Sequence, residues 1–69
     1  MSSLRMEITG MSCGHCVAAV ARSLEGVDGV HAARVEIGAA TVEFDPDRVT
    51  PRQLEQAVAD EGYIVVGTR

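Results

Sequence analysis

The hydrophobic residues of this chain change their spacing several times, and the order of these changes limits the folds that it can adopt. Residues 4–8 alternate apolar with polar side chains, the period of two that is typical of a half-buried strand. Between residues 17 and 24 the apolar side chains recur at helical spacing instead. Strand-like alternation returns over residues 33–37 and again over residues 40–44, which predicts a hairpin.

The remaining third of the chain predicts a second helix and a last strand. Thr50, Pro51 and Gln53 form a capping box with proline at the first helical position. A short apolar run over residues 63–66 predicts the strand. The apolar face of this helix consists of Leu54, Ala57 and Val58. The glycines placed to end the two helices are Gly26 and Gly62.

The resulting order, βαββαβ, matches the ferredoxin-like α+β fold, in which a four-stranded antiparallel sheet carries two helices on one face. In that topology three connections lie at the same end of the sheet. They are residues 9–14, the hairpin turn at residues 38–39 and the turn at residues 62–63. We therefore expect the two cysteines, the hairpin turn and Tyr63 to lie close together.

Length and charge exclude several classes of function. A chain of 69 residues is expected to form one domain, 1–69, with little room for a deep substrate cleft, so an enzyme is not expected. The net charge of −4, without any lysine, argues against nucleic acid and anionic membranes as partners. No segment resembles a signal peptide or a membrane span. We expect a soluble, cytoplasmic protein that does not insert into membranes.

The segment "MSCGHC" contains the only two cysteines, three residues apart, and is suited either to dithiol redox chemistry or to soft-metal binding. Cys13 is predicted in a loop, and Cys16 is predicted at the start of the first helix, where backbone N–H groups favour the thiolate. Two thiolates suit Cu(I), which accepts low coordination, better than Zn(II), which takes four ligands in structural sites. Cys-Gly-His-Cys also occurs in protein disulfide isomerases, but there Trp precedes it, whereas here Ser12 does. The dithiol oxidoreductase therefore stays an alternative, and metal binding is favoured.

The motifs "GMSCGHC", "VDGV", "ATVEFDP" and "EGY" together resemble the heavy-metal-associated domain family, and within it the small bacterial copper chaperones. The resemblance covers nearly the whole chain. It implies Cu(I) bound by Cys13 and Cys16, and transfer to the similar N-terminal metal-binding domain of a copper-transporting P-type ATPase. Zinc-handling relatives often have Asp before the first cysteine, where this chain has Ser12. The resemblance therefore favours copper over zinc.

Three residues near the cysteines have alternative interpretations. We expect His15 to tune the charge and solvation of the thiolates rather than to bind the metal. Met11 has a thioether that suits Cu(I), but core packing is the favoured interpretation. Tyr63 either shields the metal or forms a hydrogen bond toward a thiolate, or it is half-buried core.

The sequence also allows other functions for the whole chain. A copper buffer, a copper sensor or a domain of the ATPase itself would have the same motif, although the initiating Met1 favours a free-standing protein. A Cu(I)-bridged homodimer formed through the cysteine loops is a further alternative.

Overall fold

The chain folds into one antiparallel sheet covered by two helices, which confirms the predicted βαββαβ order. A computed structural model describes residues 1–11 and 14–68. The strands, in the sheet order β2-β3-β1-β4, have only antiparallel neighbours. The elements are β1 (Ser2–Thr9), α1 (Gly14–Glu25), β2 (Val30–Glu36), β3 (Ala39–Phe44), α2 (Pro51–Asp60) and β4 (Ile64–Thr68).

The core lies between the helices and one face of the sheet, as the alternation predicted. The two central strands, β1 and β3, supply its sheet side. The Ser23 hydroxyl of α1 donates a hydrogen bond of 2.9 Å to the Ala57 carbonyl oxygen of α2, which joins the two helices over this core. The core residues of the two central strands are Leu4, Met6, Ile8, Ala40, Val42 and Phe44, and those of the helices are Val20, Leu24, Leu54, Ala57 and Val58.

The opposite face of the sheet is open and mostly polar. Arg5 of β1 and Arg34 of β2 both lie opposite Thr41 of β3, and Arg5 forms an ion pair of 3.5 Å with Glu36. Because both partners of this pair are well exposed, it contributes little to stability. In the described part of the chain, neither helix is long and apolar enough to cross a membrane.

The predicted strands differ from the structure at their ends by one to three residues, and two of these differences concern the cysteine end. The β2–β3 turn consists of Ile37 and Gly38 rather than Gly38 and Ala39, because Ala39 already pairs with Glu7 of β1. Ile37 therefore lies in the turn, exposed, instead of continuing the alternation. The last strand begins at Ile64 and not at Tyr63, and it runs on to Thr68.

The capping box that begins α2 is confirmed. The Thr50 hydroxyl accepts a hydrogen bond from the Gln53 backbone N–H (3.3 Å), and the Gln53 side-chain oxygen accepts one from the Thr50 backbone N–H (2.8 Å). Thr50 has an extended backbone, and Pro51 occupies the first helical turn, where its missing N–H is not needed. The two reciprocal bonds satisfy groups that a helix start otherwise leaves without partners.

Replacing Thr50 with Ala is expected to lower the free energy of unfolding by about 0.5–2 kcal/mol, because the cap bond to Gln53 is lost. Urea denaturation followed by circular dichroism measures the change. Thr50→Ser is the matched control, since it retains the hydroxyl and should stay close to the wild type. Equal losses in the two variants would show that the methyl group, and not the hydrogen bond, stabilises the helix start.

Candidate metal-binding site

Backbone pairing brings the three predicted connections to one end of the sheet, here called the cysteine end. The Ile8 backbone N–H donates to the Gly38 carbonyl oxygen at 2.8 Å, which extends the β1–β3 pairing into the hairpin turn. On the other side of β1, the Thr9 hydroxyl donates to the Ile64 carbonyl oxygen at 3.4 Å. The hairpin turn and the start of β4 therefore flank the end of β1, from which the cysteine-containing segment continues.

Tyr63 lies over the start of that segment. Its ring atom Cδ1 is 3.4 Å from the position that a Cβ on Gly10 would occupy, so the ring lies beside Gly10 and leaves little room for a side chain there. Gly10 has φ of +92°, a conformation that favours glycine. The Tyr63 side chain is half-buried and also packs against the core. The predicted closeness of Tyr63 to this loop is confirmed, and its action on a metal stays a prediction.

Helix α1 begins at Gly14 and places Cys16 and His15 in its first turn. The Cys16 side chain is half-buried and packs against the core, whereas the His15 side chain is exposed. The first turn contains no acidic residue. The N–H groups of a first helical turn and the positive end of the helix dipole therefore favour the thiolate form of Cys16.

The other predicted ligand, Cys13, lies outside the described residues, as does Ser12. The sequence places Cys13 two residues after Met11 and three residues before Cys16. In residues 1–11 and 14–68, no group of three or more His, Cys, Asp or Glu side chains is arranged to hold a metal ion. The assignment of Cys13 and Cys16 as the ligands stays a prediction.

Met11 is buried, with 8% of its surface exposed, and it belongs to the hydrophobic core cluster. This burial agrees with the core-packing interpretation of the residue. Its side chain anchors the segment that leads from β1 into the cysteine motif. The described part of the segment, Gly10 and Met11, is therefore held by the Tyr63 ring beside Gly10 and by the burial of Met11.

Sequence reasoning missed a feature of the cysteine end, namely its exposed apolar side chains. Ile37, Ile64 and Val66 have 61%, 65% and 60% of their surface exposed. In the sequence, Ile64 and Val66 alternate with Val65, so they were expected on the opposite face of the strand from Val65. The sequence does not tell which of the two faces of an edge strand is covered.

Comparison with known proteins agrees with this architecture. The model of the heavy-metal-associated domain matches residues 5–63. The copper chaperone CopZ of Staphylococcus aureus (strain bovine RF122 / ET3-1) is 41% identical over 68 residues, which cover 96% of this chain and 100% of the relative. A solved CopZ metallochaperone is 40% identical with a TM-score of 0.91, over 94% of this chain and 100% of the other.

A copper-binding domain from HMA7, a P-type ATPase, has nearly the same fold, with a TM-score of 0.92 and 29% identity over 100% of this chain and 99% of the other. The match thus extends from full-length sequence similarity to the arrangement of all six elements. With the Cys-x-x-Cys segment at the junction of β1 and α1, the chain belongs to the heavy-metal-associated domain family.

Proposed function

We propose that this chain is a cytosolic copper chaperone, which binds one Cu(I) ion through Cys13 and Cys16 and passes it to a metal-binding domain of a copper-transporting P-type ATPase. The observation that supports this most directly is the position of Cys16 in the first turn of α1, at the exposed end of an otherwise complete core. A thiolate is favoured there. The similarity to copper chaperones over the full chain supports the same metal.

Transfer would proceed by exchange of thiolate ligands. A thiolate of the partner forms a bond to the Cu(I) held by Cys13 and Cys16, which gives a three-coordinate ion bridging the two proteins. One of the original copper–sulfur bonds then breaks, the second partner thiolate binds, and the remaining bond breaks. Cu(I) stays in the same oxidation state throughout, and each departing thiolate is free to take up a proton. The accessibility of low coordination numbers to Cu(I) keeps these steps fast.

The small exposed residues near the motif suit such an approach. Gly10, Gly14 and Ala18 are exposed, and a Cβ on Gly14 would contact nothing within 4 Å. A partner domain can therefore approach the first turn of α1 closely on the side of Gly14 and Ala18. His15, exposed in the same turn, is proposed to adjust the charge and solvation around the thiolates without entering the coordination sphere.

A second candidate function is a copper buffer or sensor module, or a domain of the ATPase itself. The similarity to the copper-binding domain of HMA7 favours considering this alternative, since the two folds are nearly the same. Both candidates bind Cu(I) through the same cysteines, and they differ in whether the metal is handed on. The dithiol oxidoreductase is disfavoured, because every strand pairing among the described residues is antiparallel, whereas thioredoxin-type proteins have a central parallel strand.

A titration of the reduced protein with Cu(I) against a competing chelator tests the proposal. We expect tight binding of one Cu(I) per chain, followed by loss of the metal to the N-terminal domain of a copper-transporting ATPase when the two are mixed. Retention of Cu(I) in that mixture would favour the buffer or sensor. Isomerisation of a scrambled disulfide substrate faster than by a small dithiol, without tight Cu(I) binding, would instead favour the oxidoreductase.

A further inference from the structure

The outer edge of β2 has no strand beside it among the described residues, and most of this edge is regular. β2 is at one end of the sheet and pairs with β3 alone. Its register against β3 shifts between Val30 and Ala32, so residues 32–36 form an even edge. That stretch contains neither proline nor lysine, two residues that often keep an edge strand from pairing further. It is therefore a template for one more antiparallel strand.

The hydrogen-bond pattern of the sheet shows which residues of β2 direct their backbone groups outward. The Ile8 N–H donates to the Gly38 carbonyl oxygen at 2.8 Å, so even-numbered residues of β3 bond toward β1 and odd-numbered residues bond toward β2. Arg34 lies opposite an odd-numbered residue of β3, so its backbone groups face β3. The N–H and C=O groups of its neighbours, Ala33 and Val35, therefore point to the open edge.

The charges along this edge favour one alignment with β2 of a second copy. If Val35 lies opposite Val35 of the second copy, Arg34 of each copy lies opposite Glu36 of the other, which gives two cross-strand pairs of opposite charge. Val35 then exchanges two backbone hydrogen bonds with its counterpart. An alignment centred one residue earlier would place the two Arg34 side chains directly opposite each other, which is unfavourable. The β2 edge is therefore complementary to itself.

The helix beside this edge has small side chains where a second copy would approach. α1 contacts β2, and its Ser23 hydroxyl faces α2. The side of α1 opposite to Ser23 contains Gly14, Ala18 and Ala21. Each helix covers two of the four strands, so in a joined sheet the two α1 helices would lie about 10 Å apart. Helices pack at about this distance, and small side chains permit it.

The other edge of the sheet, β4, is less suited to a second copy. Its pairing with β1 shifts register in the middle of a strand of only five residues. Long side chains of α2 also lie beside it, because Arg52, Glu55 and Gln56 line the same groove as Ile64 and Val65. A second copy would have to displace these side chains, so the β2 edge is favoured.

We propose that two copies of this chain associate through their β2 edges, which joins two four-stranded sheets into one antiparallel sheet. The pairs of Arg34 with Glu36 set the register, and Gly14, Ala18 and Ala21 let the α1 helices approach. The contact consists of one short strand edge and a strip of helix, below the roughly 1,200 Å² of stable interfaces. The dimer is therefore weak, with a dissociation constant on the order of 0.5 mM. The pairing uses no cysteine and needs no copper, unlike a Cu(I)-bridged dimer.

NMR of the reduced, metal-free protein tests the association. The rotational correlation time from ¹⁵N relaxation should rise by at least about 1.4-fold between about 0.05 and 2 mM protein. In the same samples, hydrogen exchange of the Ala33 and Val35 amides should slow as the concentration rises, because their N–H groups become bonded. The amides of β4 should exchange at an unchanged rate. A constant correlation time, or slower exchange at β4 instead of β2, would overturn the proposal.

Two variants with exchanged charges test the register. R34E has carboxylates at both positions and E36R has guanidinium groups at both, so each variant alone should associate about fivefold or more weakly than the wild type. Mixed in equal amounts, the two variants complement each other at both pairs, and association should return to at least the wild-type strength. Both positions are exposed, so the fold should remain, which circular dichroism checks. Equal association of the separate and the mixed variants would overturn the register.

R52E and E61R are the matched control for net charge. They change it from −4 to −6 and to −2, as R34E and E36R do, but they lie in α2 and at its C-terminal cap, away from β2. Alone and mixed, they should associate about as the wild type does. If their mixture showed the same gain as that of R34E with E36R, overall charge would govern association and the proposal would be overturned. These measurements involve no copper, so their outcome is independent of the proposed function.

Discussion

Replacing Cys16 with Ser is expected to abolish tight one-to-one Cu(I) binding, and Cys13→Ser is expected to have the same effect. A single remaining thiolate leaves Cu(I) without its second soft ligand, and the serine hydroxyl is a hard, neutral donor. In chelator competition at neutral pH, the affinity should fall by more than about 100-fold, the upper end of losses seen for outer-shell partners. Cys16 packs only partly into the core, and serine is nearly isosteric, so the fold should remain.

His15→Ala is the matched comparison for the cysteine variants. The His15 side chain is exposed in the same helical turn, and the prediction is that it stays outside the coordination sphere. Its removal should change the Cu(I) affinity by less than about tenfold, in the range of outer-shell effects. Circular dichroism on all three variants confirms that each is folded. A loss of Cu(I) by His15→Ala as complete as that of a cysteine variant would contradict the two-thiolate site and would make His15 a ligand.

Much of the fold follows from local signals that agree with one another. Residues 4–8 read as a strand because their alternation matches the pleat, and the capping box of Thr50 and Gln53 fixes the start of α2. The errors lie where an apolar side chain is exposed. Ile37 continues the alternating pattern but lies in the turn, because the register of β3 against β1 begins at Ala39. The spacing of apolar residues within one strand does not predict how that strand is aligned with its neighbour.

The candidate site was predictable to a similar degree. Topology alone brings Tyr63 and the hairpin turn to the cysteine loop. The position of the Tyr63 ring beside Gly10 and the hydrogen bond from Ile8 to Gly38 agree with this. The exposed apolar side chains at the cysteine end were not predictable, because the exposure of Ile64 and Val66 depends on β4 being an edge strand whose outer face no helix covers. Sequence spacing predicts which side chains share a face, and tertiary packing decides whether that face is covered.

Gly29→Ala is expected to destabilise the protein more than an alanine at any other described glycine. Gly29 joins α1 to β2 with φ of +100°, and its carbonyl oxygen accepts a 2.8 Å hydrogen bond from the Asp45 backbone N–H. A Cβ there would lie 2.9 Å from Cβ of Arg48 and 3.2 Å from Cγ1 of Val49. Val49 is buried, and a Cβ close to the backbone has little freedom to move away.

The Gly29→Ala variant therefore combines a strained backbone with a steric overlap. Together they are expected to lower the free energy of unfolding by about 2–5 kcal/mol. For a domain of this size, that loss lowers the melting temperature by at least about 10 °C. Gly62→Ala is the matched control, because Gly62 has φ of +91° but a Cβ there would contact nothing within 4 Å. It should lose only the backbone cost, about 1–2 kcal/mol. Thermal and urea unfolding of the metal-free proteins measures the stability of both variants. Equal losses of stability would mean that Arg48 and Val49 move away from the new methyl group at little cost.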